Sequence, residues 1–153
     1  MTSTKAPITQ SRIQRTGDAI VRFILRSPLH PLLSKRLLII TVSGRKTGRE
    51  YANPVGYVEH EGRILIGAAA SWRRNLIPGT PVRIHLRGTT RQAAHEVITD
   101  EPQAAQLYRE ILTRNPVHGR FAKIHLNPDG SVNLPSLRTA LSRGTAVVRL
   151  RPL

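Results

Sequence analysis

The spacing of hydrophobic residues near the start of the chain is that of a helix. Between Arg12 and Arg26 the apolar residues share one helical stripe, and four arginines lie mostly outside it. The pattern predicts a basic amphipathic helix over about residues 9–27, which ends where the prolines of "SPLHP" disfavour helical backbone. Two interpretations stay open: the helix packs on the protein core, or it lies on an anionic membrane surface. The apolar residues of the stripe are Ile13, Ile20, Val21, Ile24 and Leu25.

From Leu37 onward the pattern becomes that of short β-strands. "LLIITVS" is a continuous apolar run, and "YANPVGYVEH" and "RILIGAA" form a predicted hairpin joined at "HEG". "PVRIHLRG" alternates apolar and basic residues, which predicts a strand with one buried and one wet face, and "TRQAAHEVIT" follows as its partner.

The second half of the chain adds helices and a last strand. After Asp100, an N-cap, an early proline and helical spacing in "EPQAAQLYREILTRNP" predict a helix that buries Ala104, Leu107, Tyr108, Ile111 and Leu112. "NPDG" is a turn, "LPSLRTALSRG" a short helix and "TAVVRLR" a strand. We therefore expect one α+β domain over residues 1–153. About six mostly antiparallel strands would close toward a small barrel with flanking helices.

The composition points to an anionic partner. Twenty-four Lys and Arg against nine Asp and Glu leave a formal charge of +15, which suits nucleic acid, anionic lipid or a phosphorylated small molecule. Two Phe, one Trp and three Tyr provide little base-stacking surface, so nucleic acid is the weakest of these candidates. The absence of cysteine excludes disulfides and thiolate metal sites, and no apolar run matches a membrane span or a secretory signal. The histidines lack metal-ligand spacing, so we expect no metal site and a cytoplasmic protein.

The stretch "SGRKTGREYANP", from Ser43 to Pro54, is the main candidate for binding chemistry. Its side chains at Arg45, Lys46 and Thr47, between two glycines, can bring several hydrogen-bond donors onto one turn, as a phosphate requires. It lacks the spacing of a Walker loop. A solvated basic turn is the alternative interpretation.

Two neighbouring segments could extend this turn into a ligand site. Pro54 marks an edge or a bulge, because proline cannot donate to a β-ladder, and Gly56 removes another side chain nearby. "IGAAAS" is equally small-sided and leads into "WRRNL", which contains Trp72. Together they predict a shallow apolar slot with cationic ends, which fits a planar ring with a phosphate tail. For Trp72, ordinary core packing is the alternative.

The succession of these motifs resembles the deazaflavin-dependent nitroreductase family, within the split β-barrel flavin and deazaflavin oxidoreductases (FMN-binding split barrels). The family pattern G-R-[KR]-[ST]-G, then N/T-P, then W-x-x-N-L matches this chain in order. The matching residues are Gly44, Arg45, Lys46, Thr47, Gly48, Asn53, Pro54, Trp72, Asn75 and Leu76.

The resemblance implies the cofactor, the site and the reaction. The cofactor would be the deazaflavin coenzyme F420, with FMN as the alternative, and the reaction would be hydride transfer from the reduced ring. Arg45, Lys46 and Thr47 would hold the phosphate, backbone from Pro54 to Gly56 would face the ring, and Gly67 to Trp72 would flank it. The full implied site comprises Arg45, Lys46, Thr47, Gly48, Asn53, Pro54, Val55, Gly56, Gly67, Ala68, Ala69, Ala70, Ser71, Trp72, Arg73 and Asn75. No residue is assigned a catalytic role.

The acceptor and the assembly follow less directly from the resemblance. A lipophilic quinone, an enone or a nitro compound would accept the hydride. The family's nitroimidazole-reducing members carry tyrosines near the substrate, whereas this chain has Gly56 and the tyrosine-free "NPVHGRFAKIHLN", which disfavours nitro drugs. Split barrels are commonly homodimers, so a homodimer is a candidate assembly. The helix at 9–27 could add contact with the inner face of the membrane. A non-catalytic basic barrel that binds a cofactor, lipid or nucleic acid is the rival interpretation.

Overall fold

The computed structural model describes residues 36–153, so the helix predicted at about 9–27 lies outside the described residues. The described part contains seven strands and four helices. The strands are β1 (Leu37–Ser43), β2 (Glu50–Gly56), β3 (Val58–His60), β4 (Arg63–Ala68), β5 (Val82–Leu86), β6 (Thr89–Ile98) and β7 (Ala146–Pro152). The helices are α1 (Ala70–Arg73), α2 (Glu101–Arg114), α3 (Pro116–Ala122) and α4 (Leu134–Ser142). None of them is long and apolar enough to cross a membrane.

The strands form one antiparallel sheet in the order β2-β1-β5-β6-β7-β4-β3. Strands joined by short turns pair antiparallel, and the right-handed twist curls the sheet so that β2 approaches β4. The α+β split-barrel prediction is confirmed.

The prediction of about six strands differs from the observed seven because "YANPVGYVEH" divides at Tyr57. Before the break, β2 pairs with β1 from Leu37↔Gly56 to Ser43↔Glu50. At the break, the Tyr57 backbone N–H donates to the Arg36 carbonyl at 3.0 Å. After it, β3 pairs with β4 instead. One continuous segment of the chain thus supplies an edge strand at each end of the sheet.

The β3–β4 hairpin has the predicted turn. His60 pairs with Arg63, which leaves Glu61 (φ 51°) and Gly62 (φ 70°) as a two-residue loop with positive φ at both positions. This backbone is that of a type I′ turn, whose twist matches the flanking strands and which favours glycine at the second position.

Two hydrophobic clusters pack on the two faces of the sheet. Alternate side chains of β1, β4 and β5 fill the barrel interior together with Trp72 and Leu76. The opposite face of β4 and β7 packs against α2 and α4. We call these the inner and outer faces.

Helix α2 covers the outer face through the predicted residues. Its buried side chains are Ala104, Leu107, Tyr108, Ile111 and Leu112, which confirms the helical spacing read from the sequence. The Asp100 carboxylate caps the helix by accepting the Gln103 backbone N–H at 3.2 Å, an interaction that typically stabilises a helix by about 1 kcal/mol.

Candidate functional site

The β1–β2 loop, Gly44–Arg49, presents the predicted phosphate donors to solvent. The Gly44 N–H donates to the Arg49 carbonyl at 2.7 Å, and the Gly48 N–H donates to the Gly44 carbonyl at 2.9 Å. The Thr47 hydroxyl accepts the Arg49 N–H at 3.3 Å. These bonds close the loop on itself and leave the side chains of Arg45 and Lys46 exposed.

Asn75 ties this loop to the segment that follows α1. Its side-chain oxygen accepts the Arg45 backbone N–H at 3.3 Å across 30 positions of sequence. The two motifs that carry the family resemblance are therefore in contact. Asn75 acts on the loop through the backbone, so the structure gives it a positioning role.

The charge around the loop stays positive because its nearest acid is occupied. Glu50, at the start of β2, forms an ion pair with Arg83 of β5 at 2.9 Å. Among the described residues, no ion pair involves Arg45, Lys46 or Arg49. The loop is thus an uncompensated cationic surface with a neighbouring hydroxyl, as an anion site requires.

A strip of small residues runs along the outer face from this loop. Val55 packs against the barrel interior, and so does Ala68. Because successive side chains of a strand point to opposite faces, Pro54 and Gly56 on β2 and Gly67 on β4 lie on the outer face. Pro54 is exposed on the edge strand, which confirms that it marks an edge of the sheet. We call Pro54, Gly56, Gly67 and the exposed Ala69 the outer strip.

The start of helix α3 closes the end of the strip that lies away from the loop. A Cβ placed on Gly56 would lie 3.4 Å from the Asn115 side-chain nitrogen. A Cβ placed on Gly67 would lie 2.0 Å from Nε2 of His118. Nε2 is buried without a hydrogen-bond partner among the described residues. The imidazole stacks on Tyr108, with ring centroids 6.1 Å apart and planes at 21°.

Burial also sets the protonation state of this histidine. Removing the imidazole from water disfavours its charged form, which lowers the pKa of His118 below its ordinary value. At neutral pH, His118 is therefore an uncharged group with one N–H donor and one acceptor nitrogen.

The small-residue segment after β4 forms helix α1, and its residues divide between core and surface. Trp72 packs in the barrel interior with 8% of its surface exposed, as the alternative interpretation expected, so little of it is open to a ligand. Arg73 already makes one hydrogen bond within the protein, because its Nε donates to the Gly144 carbonyl at 2.6 Å. Ser71 is exposed, and Ala70 is half-buried.

The structure therefore brings part of the predicted site together. The loop residues and Asn75 form one end, and the outer strip extends from them. Val55 and Ala68 face the barrel interior and can contribute only backbone to the outer face. Asn53 makes a local bond, its side-chain N–H donating to the Tyr51 carbonyl at 3.2 Å. Asn115 and His118 were not predicted, because only the fold shows that α3 lies over β2 and β4.

A cleft lies beside the loop, between β1, β5 and the segment that follows α1. It measures about 210 Å³ and is lined by Ser43, Asn75, Arg83, His95 and neighbouring residues. Ligand pockets for cofactor-sized molecules usually measure about 300–1,000 Å³. This cleft is below that range and too small for a deazaflavin ring system.

The curled antiparallel sheet is that of the split-barrel class, and its exposed cationic loop suits a phosphorylated ligand. The family model described as F420H(2)-dependent quinone reductase matches residues 14–124. The chain belongs to this family and is an F420H2-dependent oxidoreductase whose cofactor is coenzyme F420.

Solved structures agree on the fold. The F420-H2 dependent reductase FDR-A superposes with a TM-score of 0.52 at 14% identity, over 76% of this chain and 95% of that chain. A protein described as a domain-swapped dimer gives 0.51 at 14% identity, over 90% and 98%. A putative 5-nitroimidazole antibiotic resistance protein from Bacteroides thetaiotaomicron gives 0.50 at 13% identity, over 79% and 75%. No curated protein sequence matches the chain.

The residues of the site fit this cofactor in three respects. The exposed cations and hydroxyl of the loop suit its phosphodiester, and the outer strip at Pro54 and Ala69 offers an exposed surface with small side chains. The unpaired loop cations also suit the oligoglutamate tail, which FMN lacks.

Proposed function

We propose that residues 1–153 form one deazaflavin-binding domain in which F420 lies along the outer strip. Its phosphate would be held by Arg45, Lys46 and Thr47, and its ring would face the backbone of Pro54 to Gly56. The contact between Asn75 and the Arg45 backbone supports this most directly, because it fixes the donor loop at the end of the strip. Gly67 to Trp72 would flank the ring, with Arg73 held in place by the Gly144 carbonyl.

The acceptor that we propose is a small lipophilic quinone. When bound, the reduced cofactor supplies a hydride, which carries two electrons and one proton. A quinone that accepts this hydride becomes a hydroquinone once its second oxygen takes one further proton from solvent. The protein's part is to bind and orient the two rings and to shield them from water.

Comparing two cofactors and two double variants tests the proposal. Binding of F420 and FMN is followed through Trp72, the single tryptophan of the chain. F420 should bind more tightly, with an affinity that falls as salt rises because exposed charges are screened. Arg45→Ala/Lys46→Ala should weaken F420 binding by about 2–5 kcal/mol if the charges are desolvated.

The control removes the same charge at a distance from the loop. Arg63 is the first residue of β4, at the end of that strand away from Gly67, and Arg109 lies exposed on α2. Arg63→Ala/Arg109→Ala should leave F420 affinity nearly unchanged. Equal losses in both double variants would mean that only net charge matters, and tighter binding of FMN would reject F420 as the cofactor.

The assembly is a separate proposal. The similarity to a protein described as a domain-swapped dimer supports a homodimer. Light scattering over a range of protein concentrations should give twice the monomer mass of 17.0 kDa. A monomer mass throughout would reject the homodimer without affecting the cofactor assignment.

A further inference from the structure

The His118 side chain carries a polar atom that the fold leaves without a hydrogen bond. Its Nε2 is buried and has no hydrogen-bond partner among the described residues. Buried polar atoms in native proteins are nearly always paired, and an exception requires a physical reason. Nε2 faces Gly67, which lies on the outer strip.

We propose that His118 is a positioning residue for the acceptor, whose carbonyl oxygen accepts a hydrogen bond from Nε2–H. The inference rests on the proposed function and adds to it the group that selects and orients the quinone. An uncharged N–H donor suits a neutral carbonyl better than it suits an anion. The anion-binding groups lie at the other end of the strip, in the β1–β2 loop.

The surroundings of His118 also suit a lipophilic ring. Val117 is 50% exposed and Phe121 is 82% exposed, and both lie on α3 next to His118. Residues three apart share a helix face, so Phe121 extends apolar surface on the side of His118. A ring held by the imidazole would cover this surface and remove it from water.

An incoming oxygen reaches Nε2 only when the imidazole or α3 shifts away from Gly67. Such a shift gives up the stacking of the imidazole on Tyr108, but α3 has only seven residues and none of them is fully buried. Segments with few buried contacts open at low free-energy cost. The new hydrogen bond also satisfies an atom that was unpaired, which favours the shifted arrangement.

Two variants of His118 and one matched control test the proposal with menadione as the acceptor. His118→Phe keeps a planar ring and removes the donor, so KM for menadione should rise about fivefold to tenfold, the equivalent of one hydrogen bond. His118→Gln restores an N–H donor and should recover most of that loss. His125→Gln, an exposed histidine on the same segment, should match the unmodified protein. F420 affinity should be unchanged in all three.

A second measurement does not depend on turnover. In the protein saturated with oxidised F420, which cannot reduce the quinone, menadione should shift the ¹⁵N resonance of His118 Nε2 and leave His125 unaffected. An unshifted His118 Nε2 resonance at saturating menadione would overturn the proposal, as would an unchanged KM in folded His118→Phe. Loss of F420 affinity with unchanged KM would reassign His118 to the cofactor.

Failure of the proposed function is recognisable separately. If unmodified protein does not bind F420, the cofactor assignment falls, and the ¹⁵N titration without F420 still decides whether menadione reaches His118.

Discussion

Replacing Gly67 by alanine should destabilise the protein through one identifiable contact. The added Cβ would lie 2.0 Å from Nε2 and 2.7 Å from Cε1 of His118, distances that no pair of non-bonded atoms tolerates. The imidazole must move, and moving it disturbs its stacking on Tyr108. Inserting a methyl group into such a packed site typically costs about 1–3 kcal/mol, which corresponds to a fall in Tm of roughly 2–12 °C for a chain of this size.

A double-mutant cycle followed by thermal and chemical unfolding isolates this contact. His118→Ala removes the obstructing ring, so Gly67→Ala should cost much less in that background. Gly56→Ala is the matched control, because it lies on the same face of the sheet and its Cβ would be 3.4 Å from its nearest neighbour, the Asn115 side chain. Equal losses at Gly67 and Gly56, or additive effects of Gly67→Ala and His118→Ala, would refute the proposed packing.

Two further predictions concern Asn75 and the pH dependence of stability. Asn75→Ala removes the acceptor of the Arg45 N–H. The free energy of unfolding should change by about 1 kcal/mol or less because the bond is exposed, whereas amide exchange at Arg45 should accelerate and F420 affinity should fall. Unaltered exchange at Arg45 would contradict the hydrogen bond to Asn75. Because burial lowers the pKa of His118, the unfolded chain takes up the proton more readily, so the free energy of unfolding should decrease as pH falls below about 6.5, the ordinary histidine value. Denaturant titrations at a series of pH values give the free energy of unfolding of unmodified protein and of His118→Gln. Below that pH the free energy should fall more steeply with decreasing pH in the unmodified protein, and an equal dependence on pH in both proteins would contradict the assigned burial.

The elements that the sequence predicts well are those with a strong local pattern. Helix α2 carries its cap at Asp100 and its apolar residues at helical spacing, and the fold buries those side chains. The alternation at Val82, Ile84 and Leu86 likewise marks the face of β5 that fills the barrel. In both elements local geometry determines which side chains can face the core, so the period of the pattern is sufficient.

The break at Tyr57 and the role of α3 depend on contacts that local patterns do not contain. "YANPVGYVEH" divides because its two halves pair with different partners, β1 and β4. His118 reads as an isolated histidine. Its burial arises from the packing of α3 over Gly67, a contact between residues far apart in sequence.

The small residues of the outer strip acquire two different explanations from the structure. The sequence interpretation assigned Gly67 to the cofactor ring, and the fold supplies a nearer cause, since a side chain there would displace His118. Gly56 and Pro54 have no contact of comparable closeness, and Pro54 is exposed at the sheet edge. We therefore expect substitutions at Gly67 to act mainly on stability and the placement of His118. Substitutions at Gly56 and Pro54 should lower F420 affinity with little loss of stability, as expected for a ring bound on the β2 side of the strip.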